Sequence, residues 1–371
     1  MNVSVIHPTL NPKGGAERLC LTIIEALKEA GHTVVLGTLE KTNWEDVESS
    51  FEHVVKPDKE VVVPRKLAVF GTYGQILQVF SNASKICKQS DVTIVSDYFS
   101  SWMLYGLLSV KNLLLYVHDP TFTPKKYRKG IWKLYHKPYS LIEKISISKL
   151  KKAHILANST FSAKILKKAH RLNAEILYPP VDIKNFFPSK KENLVVSVGR
   201  FHPDKNFEVL INSMSNVSDA KCVIIGSTYG SESKQYINKL TKLITTLGLQ
   251  EKITLLLDCP FDLLQHTLAK AKLYVHCMPS EFFGISVVEA MAAGCIPVVH
   301  KSGGPYFDII DREKYGISFN DSTELSEKIN SLINEKDLEK KWAKKIEMRA
   351  KMFNKNMFKQ KVVKLVNQLA D

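Results

Sequence analysis

The chain has 371 residues, 44% of them hydrophobic and 24% charged, with a formal net charge of +15 and a pI near 9.3. That length favours two domains, each able to bury its own core, and the composition excludes a disordered, fibrous or disulfide-stapled chain. No apolar run approaches the roughly 20 residues that a spanning helix needs, and the best candidate, at 104–117, is broken by Lys111.

In chain order, Met1 to His7 enters a strand directly. No basic leader with an apolar core precedes it, so no signal peptide is expected. The loop that follows carries Gly14-Gly15, and a helix over 16–30 is closed by Gly31. A strand at 33–38 and apolar runs at 61–63, 92–96, 113–117 and 155–158 alternate with helical stretches, one of them over 73–88. That alternation predicts an α/β fold with a mostly parallel, doubly wound sheet. His118 and Asp119 end one of these strands. Asn158-Ser159-Thr160 reads as a helix cap; it also has the form of a glycosylation sequon, which a cytosolic chain would leave unmodified.

Tyr178-Pro179-Pro180 interrupts the pattern, because paired prolines fit neither a helix interior nor a central strand. The boundary is therefore set here, with domains expected at 1–184 and 185–351. The second half repeats the scheme, with strands at 194–198, 222–225, 253–257, 273–276 and 296–299. The turns Arg200–Lys205, Gly226–Gly230 and Phe282–Gly284 then share the edge where parallel sheets bind ligands. A lysine-rich helical tail over 341–369 ends the chain. The six cysteines show no paired or zinc-like spacing and are expected to be reduced and mostly buried, which suits the cytoplasm.

The segment Ser280–Pro305, SEFFGISVVEAMAAGCIPVVHKSGGP, is the most informative. Phe282-Phe283-Gly284 sits where a helix begins, and free N–H groups and the positive dipole end favour a phosphate there. Gly284 permits close backbone approach. Glu281 lies just outside the helix and Glu289 about one turn inside, each able to accept from hydroxyls. A phosphate flanked by two hydroxyl-bearing rings describes a nucleotide sugar. Arg200 and Lys205 are cations near a helix start, where the dipole disfavours them, and are placed to neutralise a diphosphate. No Asp-x-Asp stands ready to hold a divalent cation, so no metal is expected.

These residues resemble the E-x7-E motif of glycosyltransferase family 4, whose members are retaining enzymes. The wording FFGISVVEAMAAG followed by HKSGGPYFDII is most similar to α-1,2-mannosyltransferases that extend dolichol-linked oligosaccharides on the cytosolic side of a membrane. The resemblance implies the GT-B fold, two Rossmann-like doubly wound domains facing a cleft, with a last helix over about 352–371 packing back on the first domain. It implies that Glu289 holds ribose hydroxyls, Glu281 sugar hydroxyls, and Arg200 and Lys205 the diphosphate. The amides of Phe283, Gly284 and Ile285 would meet sugar or phosphate oxygens. Gly14 and Gly15 would face donor and acceptor, although Lys13 and Ala16 depart from the glycine run of the dolichol-pathway relatives. His118 would sit beside the reacting sugar, so the catalytic set is Glu281, His118, Arg200 and Lys205. The only cosubstrate implied is the nucleotide sugar; no cofactor is expected.

Positive charge concentrates in 124–152, where ten lysines and arginines face Glu143 alone and are interleaved with Tyr127, Trp132, Tyr135 and Tyr139. Such a mixture suits an anionic membrane surface, giving a cytoplasmic protein peripheral to a membrane. No nucleic-acid motif accompanies the charge. The reading is thus transfer of mannose from GDP-mannose to a lipid-linked oligosaccharide. The alternatives are a UDP-sugar donor or a soluble acceptor, a sugar-nucleotide epimerase, a non-catalytic subunit of a glycan-assembly complex, and a basic nucleic-acid-binding protein.

Overall fold

The computed structural model describes every residue except 13, 52, 63–85, 88, 98–109, 111, 122–136, 229–231 and 371, and describes only the backbone at 97 and 137–143. All of the expected helix over 73–88 except residues 86 and 87, and residues 124–136 of the basic segment 124–152, lie outside the described residues. The chain divides into two compact units, Met1–Pro180 with Lys355–Asp371, and Val181–Asn354.

Among the described residues the first unit has seven parallel strands: β1 (Asn2–Ile6), β2 (Thr33–Thr38), β3 (Lys59–Val62), β4 (Val92–Asp97), β5 (Leu113–Val117), β6 (His154–Ala157) and β7 (Glu175–Ile176), in the order β3-β2-β1-β4-β5-β6-β7. All five residues of β5 are buried, as befits a strand covered on both faces. Helices α1 (Gly15–Glu29), α2 (Trp44–Ser50), α3 (Lys137–Leu150) and α4 (Thr160–His170) connect the strands. Ser159 caps α4, its hydroxyl accepting from Ser162 N at 3.0 Å.

Among its described residues the second unit has six parallel strands: β8 (Glu192–Val198), β9 (Lys221–Gly226), β10 (Ile253–Leu257), β11 (Ala271–His276), β12 (Ile296–His300) and β13 (Ile317–Phe319), in the order β10-β9-β8-β11-β12-β13. Its helices are α5 (Phe207–Met214), α6 (Ser233–Thr246), α7 (Phe261–Lys270), α8 (Ile285–Ala292), α9 (Ser322–Asn334) and α10 (Leu338–Lys351).

The lysine-rich tail is not one helix. It breaks at Met352–Asn354 between α10 and α11 (Lys355–Ala370). Phe353 causes the break: its ring is buried against Phe283 at 5.5 Å and its carbonyl accepts from Val181 N at 3.0 Å. Helix α11 returns to the first unit, where Phe358, Val362, Leu365 and Val366 join the core of α1. Lys359 meets Glu25 at 3.1 Å and Glu29 at 2.5 Å, and Lys355 meets Glu25 at 2.7 Å. This cover explains why Leu19 to Leu27 is buried nearly all round the helix. All six cysteines are free and all but Cys259 are buried.

Candidate functional site

In the second unit the strand order reverses between β8 and β11, the position where open parallel sheets bind ligands. The turn after β8 runs Gly199-Arg200-Phe201-His202 into a single 3-10 turn, Pro203–Lys205, and then through Asn206 at φ 53° into α5. Buried Phe201 and Phe207 pack edge to face at 5.7 Å and fix the turn from below. Phe201 N donates to Ser227 O at 2.9 Å, tying it to the turn after β9. A side chain at Gly226 would overlap the Gly199 carbonyl, so the two turns touch only because that residue is glycine.

This frame aims Lys205 across the reversal. Its Nζ lies 2.7 Å from Glu281 Oε2 and 3.2 Å from Met278 Sδ. Arg200 points outward, its side chain 56% exposed and 3.9 Å from Asp204 Oδ2.

The turn after β11 holds Glu281. His276 ends the strand, its Nε2 3.6 Å from Glu281 Oε2, just beyond hydrogen-bond reach. Burial would raise the Glu281 carboxyl, but the Lys205 ammonium and the His276 ring outweigh it and hold the group well below the carboxylate range. Burial depresses His276, and Glu281 only partly opposes this. Gly284, at φ 94°, turns the chain into α8. Phe283 is buried against Phe353 and anchors the turn. Ile285 opens the helix. Glu289 is buried one turn further along. Tyr274 fixes the helix start, its hydroxyl 2.7 Å from Ser286 Oγ and 3.3 Å from Val198 O. Burial first, with Glu289 adding to it, keeps that phenol protonated.

The Ser302–Pro305 segment braces the same turn. Ser302 Oγ accepts from Ser280 N at 2.8 Å, and Gly304 N donates to Glu281 O at 2.7 Å. Side chains at Gly303 or Gly304 would overlap the backbone of Glu281 or Phe282.

In the first unit the order reverses between β1 and β4. The exposed Gly14-Gly15 turn leads into α1, and Gly14 N donates to Glu17 Oε2 at 2.7 Å, which satisfies one of the free amides of the helix start. His118 follows β5, its Nε2 2.8 Å from Ser96 Oγ and its ring centroid 5.0 Å from that of Tyr116. Loss of water around the half-buried His118 ring, and after it the neighbouring His7, push its imidazole down to about 3, so it is neutral at physiological pH. Asp119 accepts from Thr121 N at 2.7 Å and Thr121 Oγ1 at 2.6 Å, and burial raises its carboxyl.

Of the residues singled out by sequence, the structure thus brings Lys205 and Glu281 into contact, sets Arg200 on the same turn as Lys205, and buries Glu289 in α8. Gly14, Gly15 and His118 belong to the first unit. Sequence reasoning missed His276, Met278 and Tyr274 in one unit and His7, Glu17 and Ser96 in the other. The available signal was a polar residue closing an apolar strand, as His7 and His276 both do. Among the described residues no group of three or more His, Cys, Asp or Glu is placed to hold a metal ion. Nor is any helix among them long and apolar enough to cross a membrane.

Comparison with known proteins matches residues 181–349 to the family described as Glycosyl transferases group 1 and residues 13–185 to Glycosyltransferase Family 4. Two curated relatives, from Dictyostelium discoideum and Homo sapiens, are each named GDP-Man:Man(3)GlcNAc(2)-PP-Dol alpha-1,2-mannosyltransferase. The first is 23% identical, over all of this chain and 85% of the relative, and the second 27% identical, over 84% and 74%. Among solved structures, Anabaena HepE in complex with UDP aligns with a TM-score of 0.77 at 18% identity, over 99% of this chain and all of that one. WaaG, a glycosyltransferase of lipopolysaccharide biosynthesis, aligns with a TM-score of 0.73 at 15% identity, over 98% and 99%. These likenesses show the fold, two parallel sheets with helices of the GT-B type.

Proposed function

The chain belongs to the GT-B glycosyltransferases, with a family 4 N-terminal half and a group 1 C-terminal half, and we propose that it transfers mannose from GDP-mannose, with retention, to a lipid-linked oligosaccharide. The observation that carries this reading is the Lys205–Glu281 contact at the mouth of α8, with Glu289 buried one turn inside. A cation and a helix start receive the diphosphate, while carboxylates before and within the helix accept from the hydroxyls of the sugar and the ribose. The names of the curated relatives supply the identity of donor and acceptor.

Arg200 and Lys205 meet the diphosphate charge as the glycosidic bond to phosphate breaks, so the reaction needs no metal or other cofactor. Glu281 orients the sugar, and the backbone amides of Phe283, Gly284 and Ile285 bind its oxygens or those of the phosphate. The acceptor hydroxyl attacks from the face the diphosphate leaves, and the departing phosphate takes its proton. Gly14 and Gly15 of the first unit face donor phosphate and acceptor, and His118 lies beside the reacting sugar. Neutral His118 can donate or accept one hydrogen bond at the reacting sugar without carrying charge.

The basic segment 124–152 docks the enzyme on the anionic cytoplasmic face of a membrane. Lys144, Lys149, Lys151 and Lys152 are exposed at its described end. Nucleic acid is not a partner in this reading. Charge reversal at Lys125, Lys126 and Lys129 that leaves liposome binding unchanged would place docking elsewhere.

The test of the function is mannose transfer to a lipid-linked oligosaccharide, together with thermal stabilisation by GDP, UDP, ADP and their sugars. Stabilisation by GDP-mannose that Glu289→Ala abolishes, with transfer to the lipid acceptor, supports the reading. A UDP-selective shift sinks the mannose assignment, and transfer only to soluble acceptors sinks the lipid assignment.

A further inference from the structure

The first unit contains a chain of polar contacts, buried at its centre and half-buried at its two ends, that the proposed reaction does not yet use. Gly14 N donates to Glu17 Oε2 at 2.7 Å. Glu17 Oε1 lies 3.7 Å from His7 Nε2, and neither side chain is exposed at all. His7 Nδ1 donates to Ser96 O at 2.5 Å, and the Ser96 hydroxyl meets His118 Nε2 at 2.8 Å. The chain crosses the ends of β1, β4 and β5, over the reversal in strand order. Its two ends are the Gly14-Gly15 turn and His118.

The tautomer of His7 follows from its partners. With Nδ1 committed as donor to a carbonyl, Nε2 is the atom turned toward the Glu17 carboxyl, at 3.7 Å. Burying such a pair is costly, and apolar residues of the same volume would pack a strand end at least as well. What an apolar pair could not do is hold Gly14 N on one side and the Ser96 backbone on the other. Ser96 is the shared member. Its carbonyl is fixed by His7, and its hydroxyl is then presented to His118. Asn158 fixes the far side, donating to His118 O at 2.9 Å.

We propose that His7 and Glu17 are positioning residues for the transfer, a buried pair that locks the Gly14-Gly15 turn and, through Ser96, the His118 ring into one arrangement. The proposal rests on the placement of His118 at the reacting sugar. It adds two residues to the acceptor side of the site that touch neither substrate.

The experiment is steady-state transfer from GDP-mannose to a lipid-linked oligosaccharide by the full chain carrying His7→Asn or Glu17→Ala, each in the wild-type and His118→Ala backgrounds. Asparagine keeps a donor for the Ser96 carbonyl but cannot reach Glu17, so His7→Asn decides the matter if Glu17→Ala does not fold. The expected result is a fall in kcat of about 10-fold or more in the wild-type background, with the donor KM within about 2-fold, and little further fall once His118 is already alanine. Equal losses in both backgrounds, or no loss in either, overturn the proposal alone. Undiminished transfer by His118→Ala overturns it together with the placement of His118.

Discussion

Lys205 Nζ sits 2.7 Å from Glu281 Oε2, with each side chain only 16% exposed, so the turns after β8 and β11 are joined by a nearly buried ion pair. Removing one partner strands the other charge away from water. Lys205→Met is expected to cost about 3 kcal/mol of stability by denaturant titration, more than a surface lysine would. Glu281→Gln added to Lys205→Met should recover much of that loss while transfer stays abolished. The folded carboxyl is held below its unfolded value. Its contribution is therefore present above the usual carboxylate range and lost as pH falls through the folded value. Wild-type stability should fall with acid more steeply than that of the double variant.

Arg200 tests the opposite regime. It is more than half exposed, and its contact with Asp204 is long at 3.9 Å, so the fold gains little from it. Arg200→Ala should leave the unfolding free energy without ligand nearly unchanged, within about 0.5 kcal/mol. Stabilisation by GDP-mannose should fall by the equivalent of about 10-fold in affinity, the loss of a charge-assisted phosphate contact. Undiminished stabilisation would remove Arg200 from the diphosphate site.

Much of this was legible in the sequence, and the limits are physical. Strands β8 to β12 show as apolar runs because a parallel sheet is covered on both faces. Gly284, Glu281 and Glu289 show as a motif because they lie close in sequence, along one turn and one helix. His276 and Met278 escaped because they act across the sheet, where only strand order brings them to Lys205. The same holds for His7 and Ser96, which are 89 residues apart in sequence and hydrogen-bonded. The lysines of the tail continue the pattern of one helix, whereas Phe353 breaks it by finding a partner in Phe283.

The glycines after β12 are predicted to be indispensable for steric reasons. Gly303 has a φ of 75°, and a side chain there would overlap the Glu281 backbone; one at Gly304 would overlap the Phe282 carbonyl. Gly304→Ala must therefore push the Glu281 turn outward. Expected are a loss of 1–3 kcal/mol, about the cost of an overpacked site, and transfer reduced at least as far as by Glu281→Ala. Gly248 is the control for φ: it too has a positive value, 69°, but nothing lies near its added side chain. Gly248→Ala should cost only the backbone strain of about 1 kcal/mol and leave transfer intact.

His118 makes a prediction about pH. Its imidazole is held down to about 3 by burial and by His7, in that order. A transferase whose acid limb arose from an ordinary histidine would lose kcat below about pH 6.5. Here no limb from His118 should appear in the kcat profile until pH approaches its folded value, and His118→Ala should lower kcat without moving the limbs that remain. Stability should behave otherwise. The unfolded chain takes up a proton at this histidine near pH 6.5, and the folded chain does so only near 3. The unfolded state therefore binds more protons across that window, and stability must fall as pH falls through it. His118→Asn, which titrates in neither state, should flatten that slope in denaturant titrations between pH 7 and 4. An unchanged slope would mean that the histidine is hydrated in solution.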